Sequence, residues 1–329
     1  MILRLPPTVR GIISFSLMIL NTMFWAIPIH IFALFKILAV RSRSGQVFCA
    51  RAIMFFGNFW IRGMNAILKL TQGTVYDIQG LEGLSMKQWY LVNCNHQSWA
   101  DILILFLAFH GHVPFFKFFL KKNLIWVPLM GTAWWALDYP FMERYSPAYL
   151  KKNPHMRGKD LETTRKACER YRDTPVSILN FVEGTRFTAE KHARQQSPYR
   201  HLLKPKSGGF AFALAAMNGK LSNIMDITII YPEMRFDFWD FICGRIPWIT
   251  IRVRKLPVPV ELADGDYQND EPFRDRFQSW VAGLWQEKDD LIEAYRKSRK
   301  NLSGGKDHET GIISEIEDET TVNSSYPVH

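Results

Sequence analysis

Cysteine is scarce in this chain of 329 residues. The four, Cys49, Cys94, Cys168 and Cys243, form no CxxC or HxxC pair. That spacing excludes a structural zinc module and a disulfide framework, and it fits a reducing compartment. No G-x-S-x-G elbow is present, which argues against a serine thioesterase or lipid hydrolase. There is no internal repeat and no RRM, zinc-finger or helix-turn-helix signature, so nucleic acid is not the expected partner. Acid is in deficit: 31 Asp and Glu stand against 41 Lys and Arg. The acids also crowd at one end, where residues 303–329 hold six of them and a single lysine. The tail is therefore net −5 and residues 1–302 carry +15, which asks for an anionic partner such as a membrane surface or a phosphorylated substrate.

Formal charge is missing altogether from the 25 residues between Arg10 and Lys36. The run GIISFSLMILNTMFWAIPIHIFALF is long enough to span about 30 Å of hydrocarbon, and too long for a signal-peptide core. It predicts a membrane helix, kinked at Pro28. Lys36, Arg41, Arg43, Arg51 and Arg62 follow it, placing the C-terminal side in the cytoplasm if there is one span. A second apolar stretch, AIMFFGNFWIRGMNAILKL, is broken by Arg62 and reads as an interfacial helix.

What remains is globular in composition, with 47% apolar and 22% charged residues. VYDIQGLEGL suggests a short strand pair turning at Gly80 and Gly83. WYLVNCNH, SILNFVEG, MDITIIYP and WITIRVRKL read as strands. Residues 98–109 read as a helix capped by Ser98. KDLETTRKACERYR, GGFAFALAAM and residues 272–299 read as further helices. Strands alternating with helices make an α/β domain, with ligands expected at loops that leave strand ends. The organisation expected is membrane-anchoring helices over 1–72, an α/β domain over 73–300 and a disordered acidic tail over 301–329.

Two motifs fall where strands end. In Asn95-His96-Gln97-Ser98-Trp99-Ala100-Asp101, a histidine just past a strand precedes an aspartate in the first helical turn. Asp101 can hold one imidazole nitrogen and leave the other as a base. Ser98-x-x-Asp101 also has the form of a capping box, so a purely structural role stays open. Cys94 lies inside the apolar strand and reads as an inert thiol. In Phe181-Val182-Glu183-Gly184-Thr185-Arg186, Gly184 permits close approach of backbone to a ligand. Arg186 suits a phosphate, Thr185 can donate to it, and Glu183 can hold an arginine or a substrate hydroxyl. The bland alternative is a surface turn with an ordinary Glu–Arg pair. The aromatic-rich stretch 106–137 reads either as core or as the lining of an acyl channel.

These blocks resemble a known family. NHQSWAD is similar to the NHX4D signature of the PlsC-type glycerolipid acyltransferases, the 1-acyl-glycerol-3-phosphate acyltransferases. FVEGTR looks like the FPEGTR block of that family, with Val182 where proline is usual. Lys122-Asn123-Leu124 through Pro128 and Gly131 is similar to its KEL…P…G stretch, with Asn123 replacing glutamate. The run from Gly131 to Arg144 and the block Ile227–Pro232 follow in family order. GLEGL, QWYLVNCNH, RGKDLETTR and LWQEKDDL look similar to the proteobacterial YihG-type probable acyltransferases.

The resemblance implies a mixed α/β sheet flanked by helices, behind an N-terminal membrane helix. It implies acyl transfer from acyl-CoA or acyl carrier protein to a lysophospholipid hydroxyl in phospholipid biosynthesis, without metal or cofactor. His96 would be the general base and Asp101 its partner. Glu183, Gly184, Thr185 and Arg186 would bind the acceptor phosphate, with Lys122 and Arg144 as further phosphate ligands. Backbone amides near Gly184 would be oxyanion donors. The location implied is a bacterial inner membrane, with the domain facing the cytoplasm. The readings kept beside it are the same chemistry on another lysophospholipid and a non-catalytic lipid-binding protein.

Overall fold

The computed structural model describes residues 2–39, 41–142, 152–153, 166, 168, 171, 174–217, 220–232, 236–263 and 265–304. The KDLETTRKACERYR helix falls almost wholly outside these residues, as do Arg144 and the acidic tail beyond Gly304.

Two long helices open the chain, α1 (Pro7–Leu38) and α2 (Arg43–Thr71). Ser42 caps α2 by accepting from the Gly45 amide at 3.1 Å. Then come β1 (Val75–Gln79), β2 (Trp89–Cys94), α3 (Ala100–Phe109), β3 (Phe116–Phe118) and β4 (Leu120–Lys121). A 3-10 turn over Lys122–Trp126 leads to α4 (Met130–Ala136) and β5 (Phe141–Met142). The second half runs β6 (Ser177–Phe181), α5 (Ala189–Gln195), α6 (Gly208–Ala216), β7 (Leu221–Ile230), α7 (Phe238–Ile242), β8 (Trp248–Leu256), α8 (Val260–Ala263) and α9 (Glu271–Gly304).

The sheet has the order β1-β8-β7-β2-β6-β3. Every pairing is parallel except β7 with β8. β2 sits near the centre. Its run of Tyr90, Leu91, Val92 and Cys94 is buried on both faces, as a continuous apolar strand between two helical layers requires. One layer packs α2 and α3 on the sheet. The other packs α6 and α9, with Phe210, Phe277 and Trp285 in its core.

Two expectations are corrected here. VYDIQGLEGL supplies one strand, not a pair: β1 finds its partner in β8, with Tyr76 opposite Ile249. Gly80 and Gly83 do turn the chain at positive φ, but into a loop. The last helix runs to Gly304, three residues past the expected start of the tail. The aromatic stretch 106–137 divides between core and surface. Phe106, Phe109 and Phe116 are core, and the cavity beside them has a volume of only about 20 Å³, which is water-sized.

A charged cluster in the core has no sequence signature. Buried Asp226 on β7 pairs with buried Lys288 of α9 at 2.7 Å and with Arg254 of β8 at 2.6 Å. Asn93 of β2 donates to the same carboxylate at 2.8 Å. Each charge is paired and hydrogen-bonded, the condition under which burial is tolerated.

Helix α1 is not a free-standing rod. Near its start, Arg10 donates to the Gly244 carbonyl at 3.4 Å, and Arg245 donates to Thr8 at 3.4 Å. A Cβ at Gly11 would overlap Cys243 Sγ, so glycine lets the helix touch the α7–β8 link. Near its end, His30 Nε2 shares a 2.5 Å hydrogen bond with Thr132 of α4, and Lys36 pairs with Asp138 at 2.7 Å. The two anchorages are roughly 40 Å apart at 1.5 Å per residue. The α7–β8 link leaves the carboxyl end of β7, and α4 follows the carboxyl ends of β3 and β4. Helix α1 therefore starts at the carboxyl end of β7 and runs antiparallel along α2, from Ser14 beside Thr71 to Phe32 beside Phe56 and Phe48. Its outer face exposes Leu20, Phe24, Ile27, Leu34 and Leu38.

Candidate active site

β2 and β6 are parallel neighbours in register, with Cys94 opposite Phe181. The two motifs of the sequence therefore leave the same end of the sheet side by side. Asn95 fixes the first loop to β7: its amide donates to the Ile229 carbonyl at 2.9 Å and accepts from the Ile229 amide at 2.8 Å. The loops are then tied to each other. The His96 amide donates to Glu183 Oε1 at 3.0 Å, and the Phe187 amide donates to the His96 carbonyl at 2.8 Å.

His96 Nδ1 lies 2.8 Å from Asp101 Oδ2. The same oxygen accepts from the Gln97 amide at 2.7 Å and the Ser98 amide at 3.0 Å. Asp101 Oδ1 accepts from the Tyr231 hydroxyl at 2.5 Å. The carboxylate is fully buried, and each of its oxygens is engaged. These bonds settle the choice left open by the sequence: Asp101 closes the loop into α3 and holds the imidazole as well. Trp99 occupies the cap position of α3 without a side-chain bond; the Ser98 hydroxyl accepts from the Ala100 amide at 3.2 Å. The imidazole stacks on Phe181 at 3.9 Å between ring centroids, with planes 16° apart. Held by Asp101 on one side and by Phe181 on its face, the ring keeps Nε2 without a protein hydrogen bond among the described residues. The site can thus offer one oriented, unoccupied imidazole nitrogen as a base.

Arg186 lies over the Trp99 ring, 4.2 Å from its centroid, and forms no ion pair among the described residues. Stacking on an indole leaves the planar edge of the guanidinium available for a bidentate anion. Lys191 of α5, which the sequence reading passed over, donates to Thr185 Oγ1 at 2.8 Å and to the Arg186 carbonyl at 3.0 Å. Gly184 turns at φ +69, and a Cβ there would lie 3.2 Å from Lys206 Cδ. Lys191 and Lys206 therefore bring positive charge to the loop that carries Arg186.

Glu183 is placed otherwise than expected. It is buried and faces neither Arg186 nor solvent: Oε1 takes the His96 amide, and Oε2 takes the Leu203 amide at 3.2 Å. It clamps the two loops together. Burial pushes its carboxyl up to about 8, against the pull of the two amide bonds. The Gly184 amide is also not a ready oxyanion donor, because it donates to the Phe181 carbonyl at 2.8 Å and closes the turn. Lys122 begins the exposed 3-10 turn after β4, and Arg144 lies outside the described residues. Cys94 is buried; burial raises its thiol well above the ordinary range, and Sγ bonds to the Asn95 carbonyl at 3.2 Å. The inert reading of that cysteine holds.

The raised carboxyl carries a signed prediction. In the unfolded chain Glu183 ionises near 4.5; folded, it stays neutral up to about 8. Its contribution to stability is full below the unfolded value and is lost as pH rises through the folded one. Chemical unfolding between pH 5 and 8.5 should therefore show the protein losing stability relative to Glu183→Gln, with the difference levelling off above about 8. Wild-type protein that holds or gains stability relative to Glu183→Gln across that range would mean that the carboxylate is charged in place.

The chain is similar to known acyltransferases. Residues 75–232 match the model of the Acyltransferase family. Mouse 1-acyl-sn-glycerol-3-phosphate acyltransferase gamma is 25% identical over 240 residues, covering 69% of this chain and 58% of its own length. The 2-acyl-1-lysophosphatidylinositol acyltransferase of Saccharomyces cerevisiae is 25% identical over 248 residues, covering 61% and 60%. The crystal structure of the 1-acyl-sn-glycerophosphate acyltransferase PlsC of Thermotoga maritima superposes with a TM-score of 0.45 at 18% identity, covering 85% of this chain and 98% of that one. The chain spans about three fifths of the length of the curated relatives it matches. Residues 75–232 contain both loops and the strands that carry them, and this domain is of the Acyltransferase family.

Proposed function

We propose that this protein transfers a fatty acyl group from an acyl-CoA or acyl-carrier-protein thioester to the free hydroxyl of 1-acyl-glycerol-3-phosphate, forming phosphatidic acid. The observation that carries the reading is an imidazole held by a buried carboxylate, its Nε2 unoccupied among the described residues, with a stacked Arg186 that forms no ion pair among them. His96 takes the proton of the acceptor hydroxyl as its oxygen bonds to the thioester carbonyl carbon. The C–S bond then breaks, and the imidazolium returns the proton to the departing thiolate. No acyl-enzyme forms. Arg186 and the neighbouring lysines neutralise the acceptor phosphate.

The work is done at a membrane, in this reading the inner membrane of a bacterium with the domain on the cytoplasmic side. The four cysteines are all free and buried, as a reducing compartment allows. A helix fastened to one domain at two points about 40 Å apart cannot thread a bilayer about 30 Å thick. Helix α1 instead lies in the plane of one leaflet, with its apolar outer face among the acyl chains. The start of α1 meets the α7–β8 link at the carboxyl end of β7, the end of the sheet that carries the site.

A second acceptor is favoured by one observation: a relative of similar identity is named for lysophosphatidylinositol. The departures at Val182 and Asn123, and the finer likeness to YihG-type proteins, bear on acceptor identity and not on the chemistry. A non-catalytic lipid-binding role leaves the oriented dyad without a use. The test is a panel of lysolipids assayed with wild type and Arg186→Ala. Loss of a charge-assisted hydrogen bond should raise KM for 1-acyl-glycerol-3-phosphate roughly 10- to 100-fold, with little change for a neutral monoacylglycerol. Equal losses on both acceptors would remove Arg186 from phosphate binding.

A further inference from the structure

The segment between β4 and α4 is a surface knuckle built of residues that water does not favour. Trp126 is 84% exposed, Leu129 47% and Trp135 42%, with Val127 and Pro128 also outward. Its backbone is held and does not trail. The Met130 amide donates to the Pro128 carbonyl at 2.7 Å, and the Gly131 amide to the Val127 carbonyl at 2.8 Å. Leu129 is kept at φ +62, a conformation that costs a non-glycine residue about 1–3 kcal/mol and persists only where its surroundings impose it. A Cβ at Gly131 would overlap the Ile125 carbonyl, so the turn is tight from both sides.

Its position gives the exposed side chains a common direction. Thr132 bonds His30 of α1, and Leu129 and Trp135 lie three residues either side of it, on the same stripe. On α1, Ile27 and Leu34 flank His30 in the same way, and both are exposed. The apolar stripe of α1 therefore continues onto the knuckle. Exposed Lys121 and Lys122 stand beside it. The knuckle follows the carboxyl end of β3, the end of the sheet that carries His96.

We propose that this knuckle, Lys121 to Trp135, is a second membrane-inserting element, seated in an anionic bilayer surface next to α1 and fixing the site mouth at headgroup depth. The inference rests on the in-plane reading of α1. Indole rings are enriched at that depth, and lysines there face anionic headgroups. One point of insertion would leave the domain free to roll about the axis of α1; a second, beside the site, sets the height of His96 over the lipid.

The test uses the full chain with single introduced cysteines labelled by an environment-sensitive fluorophore. The four native thiols are buried, so the introduced one reacts. Labels at Trp126→Cys, Phe24→Cys on α1, and Lys87→Cys at the opposite end of β2 are read in vesicles of mixed anionic and zwitterionic phospholipid carrying nitroxide lipids. The expected result is blue-shifted, quenched emission at 126 and at 24, and aqueous emission at 87. Quenching at 24 with aqueous emission at 126 overturns the knuckle while leaving the membrane reading intact. Aqueous emission at both overturns the two together. As a second readout, Trp126→Ser with Leu129→Ser should weaken partition into these vesicles roughly tenfold or more. Unchanged partition contradicts the proposal.

Discussion

Replacing His96 with alanine is expected to lower kcat for acyl transfer roughly 10³- to 10⁴-fold, with KM for the lysolipid almost unchanged. The size follows from what the side chain does. Its Nε2 is the base that the geometry leaves unoccupied, whereas the nearby imidazoles of His192 and His201 are engaged by the Tyr199 carbonyl and by Glu293. Without it, the acceptor hydroxyl must lose its proton to water during attack. The acceptor phosphate is held elsewhere, by Arg186 and its neighbours, so binding survives. The fold should survive as well, because the bonds that tie this loop come from the backbone of residue 96. Steady-state kinetics on the purified variant, with a circular dichroism melt as control, checks both halves. Undiminished turnover would take His96 out of the mechanism.

Asp101→Asn should cost nearly as much, roughly 10²- to 10⁴-fold in kcat, for a different reason. Asparagine fits the same space, and its carbonyl can still accept from the Gln97 and Ser98 amides. The amide has no charge, however, to stabilise the imidazolium formed when His96 takes a proton. Its –NH₂ can also turn toward Nδ1, which would put the ring proton on Nε2 and block the base. Tyr231 favours that turn, and the Gln97 and Ser98 amides oppose it. Its hydroxyl points at Oδ1 from 2.5 Å, and burial pushes its own ionisation well above the ordinary range, so it stays a donor. A tyrosine placed there specifies an acceptor at Oδ1 and so fixes which oxygen faces His96. Comparing kcat, KM and melting temperature for Asp101→Asn and Tyr231→Phe separates charge from orientation. The first should lose rate at nearly constant stability. The second should lose about 1–3 kcal/mol of stability through the unsatisfied Oδ1, with a smaller loss of rate. An Asp101→Asn enzyme with wild-type kcat would show that Asp101 only caps the loop.

Much of this was legible in the residues. Apolar runs such as WYLVNC and WITIRVRKL could be placed because buried strands are short, continuous and stopped by turn formers. The two motifs were recognisable as strand-end loops, and parallel pairing of β2 with β6 brought them together. What escaped was what depends on long-range partners. β1 pairs with a strand more than 170 residues away, which no local turn signal announces. Tyr231 looked like the end of an apolar strand, since a hydroxyl that meets Asp101 across 130 residues leaves no spacing rule. The burial of Glu183 was not legible, because a charge in a glycine turn is usually exposed and the Leu203 and His96 amides arrive from outside the motif. Helix α1 has the length and polarity of a span, and what was not legible is how it meets the domain. The contacts that pin it, at Thr8, Arg10, His30 and Lys36, are polar exceptions scattered along it.

The most direct test of the whole account is product formation. Purified protein in anionic phospholipid vesicles is given oleoyl-CoA and 1-acyl-glycerol-3-phosphate, with His96→Ala in parallel, and the lipids are resolved by mass spectrometry. The account predicts phosphatidic acid carrying the oleoyl chain, one free CoA for each molecule formed, and neither product above background from the variant. Folded wild-type protein that forms no diacyl product from any lysolipid, with acyl-CoA or acyl carrier protein as donor, would contradict it.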